Sequence, residues 1–229
     1  PLRPFRAQCA ALGVEVLPVI ARESLPHWDP GWGTEEYGAA LLPYGKQVSG
    51  TERIEIGNEP DLEAPSSWTM TAAQLKALPA AAREVWPRGY LIGPGLASGD
   101  PSWVDRDWLY YIQALSVHPY GRRAPGFGLP VEYLPIPDLL AAYAAYGLPL
   151  WVSEFGAPAR DFDLDIERAA YYAAMARYLD WRGDVAGACA FCLAGDGVEE
   201  FALQGTPALA TFLEASGNIA RNHAPETIG

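Results

Sequence analysis

Cysteine is scarce in this chain: Cys9, Cys189 and Cys192 are the only three in 229 residues, an odd and scattered set that makes no disulfide framework. Cys189 and Cys192 form a C-x-x-C inside the apolar run 187–193, which is expected to be a buried strand with positions three apart on opposite faces. With no second cysteine pair and no histidine beside them, zinc has no ligand set there, and buried thiols are expected. Histidine is equally rare, at three residues, which leaves a metal-dependent hydrolase short of ligands; neither a metal nor another cofactor is expected. Basic side chains are outnumbered, 16 Lys and Arg against 28 Asp and Glu, and the net charge of −12 repels nucleic acid and anionic lipid. No apolar run is long enough to span a membrane and no basic-then-apolar leader is visible. A soluble protein is expected, its compartment open.

What is present points to a packed domain with an uncharged partner. Half of the residues are apolar, enough to bury a substantial core. Eight Trp and twelve Tyr supply flat faces with polar edges, on which sugar rings stack, although most are expected in the core and between helices. Strand-like and helix-like segments alternate throughout, which predicts a parallel α/β architecture. Strands are expected at 14–20, 53–57, 90–93, 115–118, 149–153 and 187–193, each followed by a helix, at 35–48, 72–85, 103–114, 136–146, 166–181 and 207–215. A further helix is expected at 4–12, and Thr71 with Gln74 reads as a capping box. The Ala-rich helices, such as 141–145 and 169–174, suit an outer layer lying close to a sheet. Residues 1–215 are expected to form a single domain and 216–229 a poorly ordered tail.

Two glutamates close strand-like runs: Glu59 in Ile56-Gly57-Asn58-Glu59-Pro60 and Glu154 in Trp151-Val152-Ser153-Glu154-Phe155-Gly156. A strand that ends in a carboxylate and then breaks at Pro or Gly places that carboxylate on a rim. Two such rims can supply the acid and the nucleophile that glycoside hydrolysis needs. Period-2 alternation sends Leu150, Val152 and Glu154 to one face and Trp151 and Ser153 to the other, so Trp151 is expected in the core. The same rule puts Ser116, His118 and Tyr120 on one face, aiming His118 and Tyr120 at the site, where a tyrosine hydroxyl can hold a carboxylate. Glu55, on the same strand face as Glu59, is expected to be a second buried carboxylate or the partner of an interior arginine. The loops after the strands at 14–20 and 53–57 offer Trp28, Trp32 and Trp68 for sugar stacking.

The runs Ile56-Gly57-Asn58-Glu59-Pro60-Asp61, His118-Pro119-Tyr120-Gly121 and Trp151-Val152-Ser153-Glu154-Phe155-Gly156 together resemble the retaining glycoside hydrolases of the large clan, clan A, built on (β/α)8 barrels. Cellulases, mannanases, xylosidases and arabinofuranosidases belong to it. The resemblance implies that Glu59 is the general acid/base, that Asn58 hydrogen-bonds the sugar 2-hydroxyl, and that Glu154 is the nucleophile with Tyr120 and His118 in support. A carbohydrate is then the substrate. Counted from Glu59 as the end of strand four, the strand at 14–20 is strand three, so the expected fold is TIM-barrel-like but truncated to six βα units, lacking the first two strands. The strand-two arginine and the tryptophan after strand eight that the family usually carries have no counterpart here. The two open sheet edges would be covered by loops, by further sequence, or by a second copy in a homo-oligomer. Two functions stay open: a retaining hydrolase of a neutral poly- or oligosaccharide, and a catalytically silent barrel fragment that binds carbohydrate or serves as a structural module.

Overall fold

The computed structural model describes residues 16–21, 25, 29, 31–45, 53–62, 70–71, 75–120, 136–191, 203 and 206–222. The expected helix at 4–12 lies outside them. The chain divides into two compact units, Pro1–Val117 with Leu134–Trp151, and His118–Tyr133 with Val152–Gly229.

In the first unit, β1 (Val19–Ile20), β2 (Arg53–Ile56) and β3 (Tyr90–Ile92) form a parallel sheet in that order, with Val19 opposite Glu55 and Ile54 opposite Leu91. Ile54 and Ile56 on one face of β2 and Glu55 on the other are all buried. A strand covered on both faces is what a parallel sheet in an α/β fold requires. The intervening helices are α1 (Thr34–Gly45) and α2 (Ala77–Val85), which pack on each other. Glu36 reaches back 2.9 Å to accept from the Gly33 N–H, and with Glu35 it complements the positive end of α1. The regular span of α2 begins at Ala77 without a side-chain cap; of the expected capping box, Gln74 lies outside the described residues.

The helix expected at 103–114 is broken. A 3-10 turn, Pro101–Trp103, is followed by a single α-turn, α3 (Arg106–Leu109), because Val104 is extended and the Asp105 side chain caps the backbone N–H of Asp107 at 2.8 Å. β4 (Leu115–Ser116) then pairs in parallel with the start of β5 (Leu150–Phe155), and α4 (Ile136–Ala144) connects them. Trp151 is core, as its strand phase predicts: it packs with Ile92 and Ala114, and the Arg53 guanidinium lies 5.3 Å over its ring.

The second unit takes the remainder of β5, a 3-10 turn at Ala159–Asp161, α5 (Asp165–Trp181), β6 (Val185–Ala190) and α6 (Pro207–Asn222). The Phe191 N–H donates to the Phe155 carbonyl at 2.7 Å just past β6. Ala173 and Ala176 of α5 meet Ala215 and Phe212 of α6, so this Ala-rich face brings helix to helix. Two expectations change here. The apolar run holding Cys189 was expected to be buried, yet β6 holds only half-buried and exposed residues, and Cys189 is half-buried. A strand's burial depends on what covers each face, which its own composition does not record. α6 also continues to Asn222, past the Ala215 at which the sequence reading ends it. Gly217 costs a helix only about 1 kcal/mol relative to Ala, which a long helix absorbs. Among the described residues no helix is long and apolar enough to cross a membrane.

Candidate active-site residues

In the first unit, β2 runs into a turn of unusual backbone. Gly57 has φ 94° and Glu59 φ 45°, so two of three successive residues, one of them not glycine, take a left-handed φ. At Gly57 a Cβ would stand 3.1 Å from the Cβ of Pro94, a second reason for glycine. At Glu59 the left-handed conformation costs roughly 1–2 kcal/mol, and such strain persists only where the surroundings over-determine it. They do. The Glu59 N–H donates to the Gly95 carbonyl at 2.8 Å, the Glu59 carbonyl accepts from Leu62 at 3.1 Å, and the Pro60 carbonyl accepts from Met70 at 2.8 Å. Asn58 bridges in parallel fashion to Gly95. Two residues on, Asp61 accepts from the backbone N–H of Ala97 with one carboxylate oxygen and of Ser98 with the other, each at 2.8 Å. Glu59 and Asn58 are half-buried.

Glu55 is buried and accepts a 2.8 Å hydrogen bond from the Ser116 hydroxyl of β4. The second-carboxylate expectation is therefore met by a hydroxyl partner. Tyr143 of α4 is also buried, and burial first, then the negative charges of Asp61 and Asp100, pushes its hydroxyl well above the ordinary tyrosine range.

In the second unit, Glu154 is the last residue but one of β5, its side chain 23% exposed while the surrounding strand residues are buried. Tyr120, bridged to Gly156 beside it, donates its hydroxyl to Oε2 of Glu154. That fixes the orientation of the carboxylate. The fully buried imidazole of His118 stands with Nδ1 4.0 Å from the same Oε2 and Nε2 2.9 Å from the Ser153 hydroxyl. Strand alternation assigns Ser153 and Glu154 to opposite faces, but the two nitrogens of one ring reach both. Tyr120 is wedged edge-on between His118 and Phe191, with ring centroids 6.2 and 5.8 Å away. Behind Glu154 the backbone is pinned at Ala157, whose carbonyl accepts from the buried Arg168 at 3.2 Å and whose N–H donates to Tyr172 at 3.3 Å.

The structure thus brings His118, Tyr120 and Glu154 together in one unit, and places Asn58 and Glu59 on one turn in the other. Trp32 is half-buried and packs edge-on against Tyr37, centroids 5.5 Å apart. Trp28 and Trp68 lie outside the described residues. Ser153, Asp61 and Ser116 are given no role by the sequence, and here each holds a contact at or beside the glutamates. Ser153 could have been found from its adjacency to Glu154; the other two contacts join distant segments and leave no local pattern.

No protein-family model matches the sequence, and no curated protein matches it. Solved structures do. An endo-β-1,3-glucanase of glycoside hydrolase family 128, subgroup II, from Sorangium cellulosum superposes with a TM-score of 0.63 at 17% identity, over 90% of this chain and 83% of that one. The chain shares its fold with glycoside hydrolases. A family 39 glycoside hydrolase from Bacteroides cellulosilyticus gives a TM-score of 0.61 at 22% identity, over 94% of this chain and 53% of that one. A family 128 subgroup VII oligosaccharide-binding protein from Cryptococcus neoformans gives 0.53 at 16% identity, over 88% of this chain and 87% of that one. The α/β fold with parallel sheets agrees with the resemblance carried by the three motifs.

Proposed function

We propose that the chain is a retaining glycoside hydrolase of a neutral β-glucan, with Glu154 as nucleophile and Glu59 as acid/base. The observation that carries this reading is the setting of Glu154: a part-exposed carboxylate at the end of a buried strand, oriented by the Tyr120 hydroxyl with His118 beside it. In the first step a Glu154 oxygen bonds to the anomeric carbon, the bond to the leaving oxygen breaks, and the Glu59 proton passes to that oxygen. In the second, Glu59 takes a proton from water, the water oxygen bonds to the anomeric carbon, and Glu154 is released. Asn58 is assigned to the sugar 2-hydroxyl. Its fold neighbours suggest β-1,3-linked glucose as the first substrate to try. The architecture proposed with this is a (β/α) barrel whose six strands correspond to strands three to eight.

A second reading, oligosaccharide binding without hydrolysis, is favoured by the neighbour from Cryptococcus neoformans. One experiment separates the two. Incubation with 2,4-dinitrophenyl 2-deoxy-2-fluoro-β-laminaribioside, then intact mass and peptide mapping, is expected to give one adduct, on Glu154. An adduct on another carboxylate overturns the role assignment. No adduct across a panel of such glycosides, together with calorimetric binding of laminari-oligosaccharides, supports the binding protein.

A further inference from the structure

From the turn that carries Glu59 we infer that Asp61 is a positioning residue for the acid/base, acting through the backbone of the loop that follows β3; the inference rests on the reading of Glu59 given above. Glu59 and Asp61 are both tied to the short segment 95–98. The Glu59 N–H is bonded to the Gly95 carbonyl, and the two oxygens of Asp61 are bonded to two N–H groups further along the segment, those of Ala97 and Ser98. The turn is therefore held at two points, one on either side of Pro60, with the left-handed Glu59 between β2 and the Asp61 clamp. The residue before a proline is steered toward extended backbone, and Glu59 departs from that preference. Without the Asp61 clamp, the 58–62 segment is free to relax toward the ordinary φ of a pre-proline residue, which swings the Glu59 side chain away from its present direction. The loop is itself braced: the Gly99 N–H donates to Leu96 at 3.3 Å, and a Cβ at Gly99 would sit 3.2 Å from Leu139 of α4. Asp61 thus transmits the position of a packed loop to the residue that must deliver a proton.

The test uses the full chain and two leaving groups. D61N is nearly isosteric, keeps one acceptor and turns an NH2 group toward a backbone N–H; D61A removes both acceptors. A displaced acid/base slows the second step for every substrate, but kcat/KM reports the first step, where it harms only substrates whose leaving oxygen needs a proton. For D61N, kcat/KM on 4-methoxyphenyl β-laminaribioside is expected to fall about 10²-fold, mostly in kcat, while that on the 2,4-dinitrophenyl glycoside changes little. Amide exchange at Glu59, followed by NMR, is expected to accelerate about 10-fold as the Gly95 bond loosens. Equal losses on the two glycosides, or unchanged exchange at Glu59, overturn the inference. If the wild-type chain hydrolyses neither glycoside while exchange at Glu59 still accelerates in D61N, the clamp stands and the glycosidase reading falls. Should D61A not fold, D61N decides.

Discussion

In the first unit Glu59 is placed by main chain: its own N–H and carbonyl are both bonded, its φ is left-handed, and the next acidic residue along the chain, Asp61, bonds backbone N–H groups with both of its oxygens. In the second unit Glu154 sits on a regular strand, and side chains direct it: the Tyr120 hydroxyl on its carboxylate, with His118 held in turn by Ser153. The difference suits the two roles proposed. A nucleophile must hold one oxygen on a fixed line of attack, which a directional hydroxyl donor does well. An acid/base must give a proton and later take one, and a main-chain anchor fixes where its carboxyl starts without occupying the carboxyl oxygens.

The largest expected effect of breaking this contrast is at Tyr120. Y120F removes the hydroxyl and keeps the ring wedged against His118 and Phe191. A hydrogen bond to a charged group contributes roughly 1.5–3 kcal/mol, so kcat on a laminari-oligosaccharide should fall about 10- to 100-fold with little change in Tm. A matching loss of stability would show that Tyr120 packs the unit and does not direct the carboxylate.

A smaller effect compares glycine at the two glutamates. Both variants are inactive under the proposed roles, so stability is the readout, by urea unfolding at neutral pH. E59G relieves the left-handed strain at the cost of chain entropy and is expected to stabilise by roughly 0.5–1 kcal/mol. E154G places glycine in a strand and is expected to destabilise by about 1 kcal/mol. If both lose stability alike, the turn at Glu59 is not strained and the backbone half of the contrast fails.

The side-chain half was open to reading in the sequence and the backbone half was not. Period-2 phase over Leu150 to Glu154 predicts a core Trp151 and a strand-end carboxylate, and the same phase over Ser116 to Tyr120 predicts a His and Tyr on one face. These follow from spacing, which is local. The positive φ at Glu59 has no local signature, since Glu-Pro reads as extended chain, and the Asp61 clamp joins residues 36 and 37 positions apart. The rest divides between a local cap and tertiary covering. Asp105 breaks a helix that apolar pattern alone would continue, and β6 is half-exposed although its sequence reads as a buried strand. The alternation of strands and helices, and with it the α/β class, survives because it needs no such contact.

The smallest effect tests the contrast on two arginines away from the glutamates. Arg83 of α2 donates to main-chain carbonyls, to Tyr111 at 2.7 and 3.0 Å and to Gly89 at 2.9 Å, whereas Arg182 after α5 grips the Asp184 carboxylate, with one bond at 2.8 Å. Only the second arrangement titrates in acid. The Arg182 hydrogen bond holds the Asp184 carboxyl below its ordinary value of 3.8. In the unfolded chain the group therefore protonates at higher pH than in the folded one. Its stabilisation is complete above the unfolded value and is lost as pH falls through the lowered folded value. The pair lies near the surface, so D184N should cost no more than about 1 kcal/mol at pH 6, and the cost should shrink toward zero as the pH is taken below 3.8. Added salt should reduce the pH 6 figure. The contribution of Arg83 should stay constant over the same range, because carbonyls carry no proton to gain. A D184N cost that persists unchanged in acid would mean that Asp184 acts through its shape and hydrogen bonding alone, and the charge on the second unit's pair would then play no part in holding it.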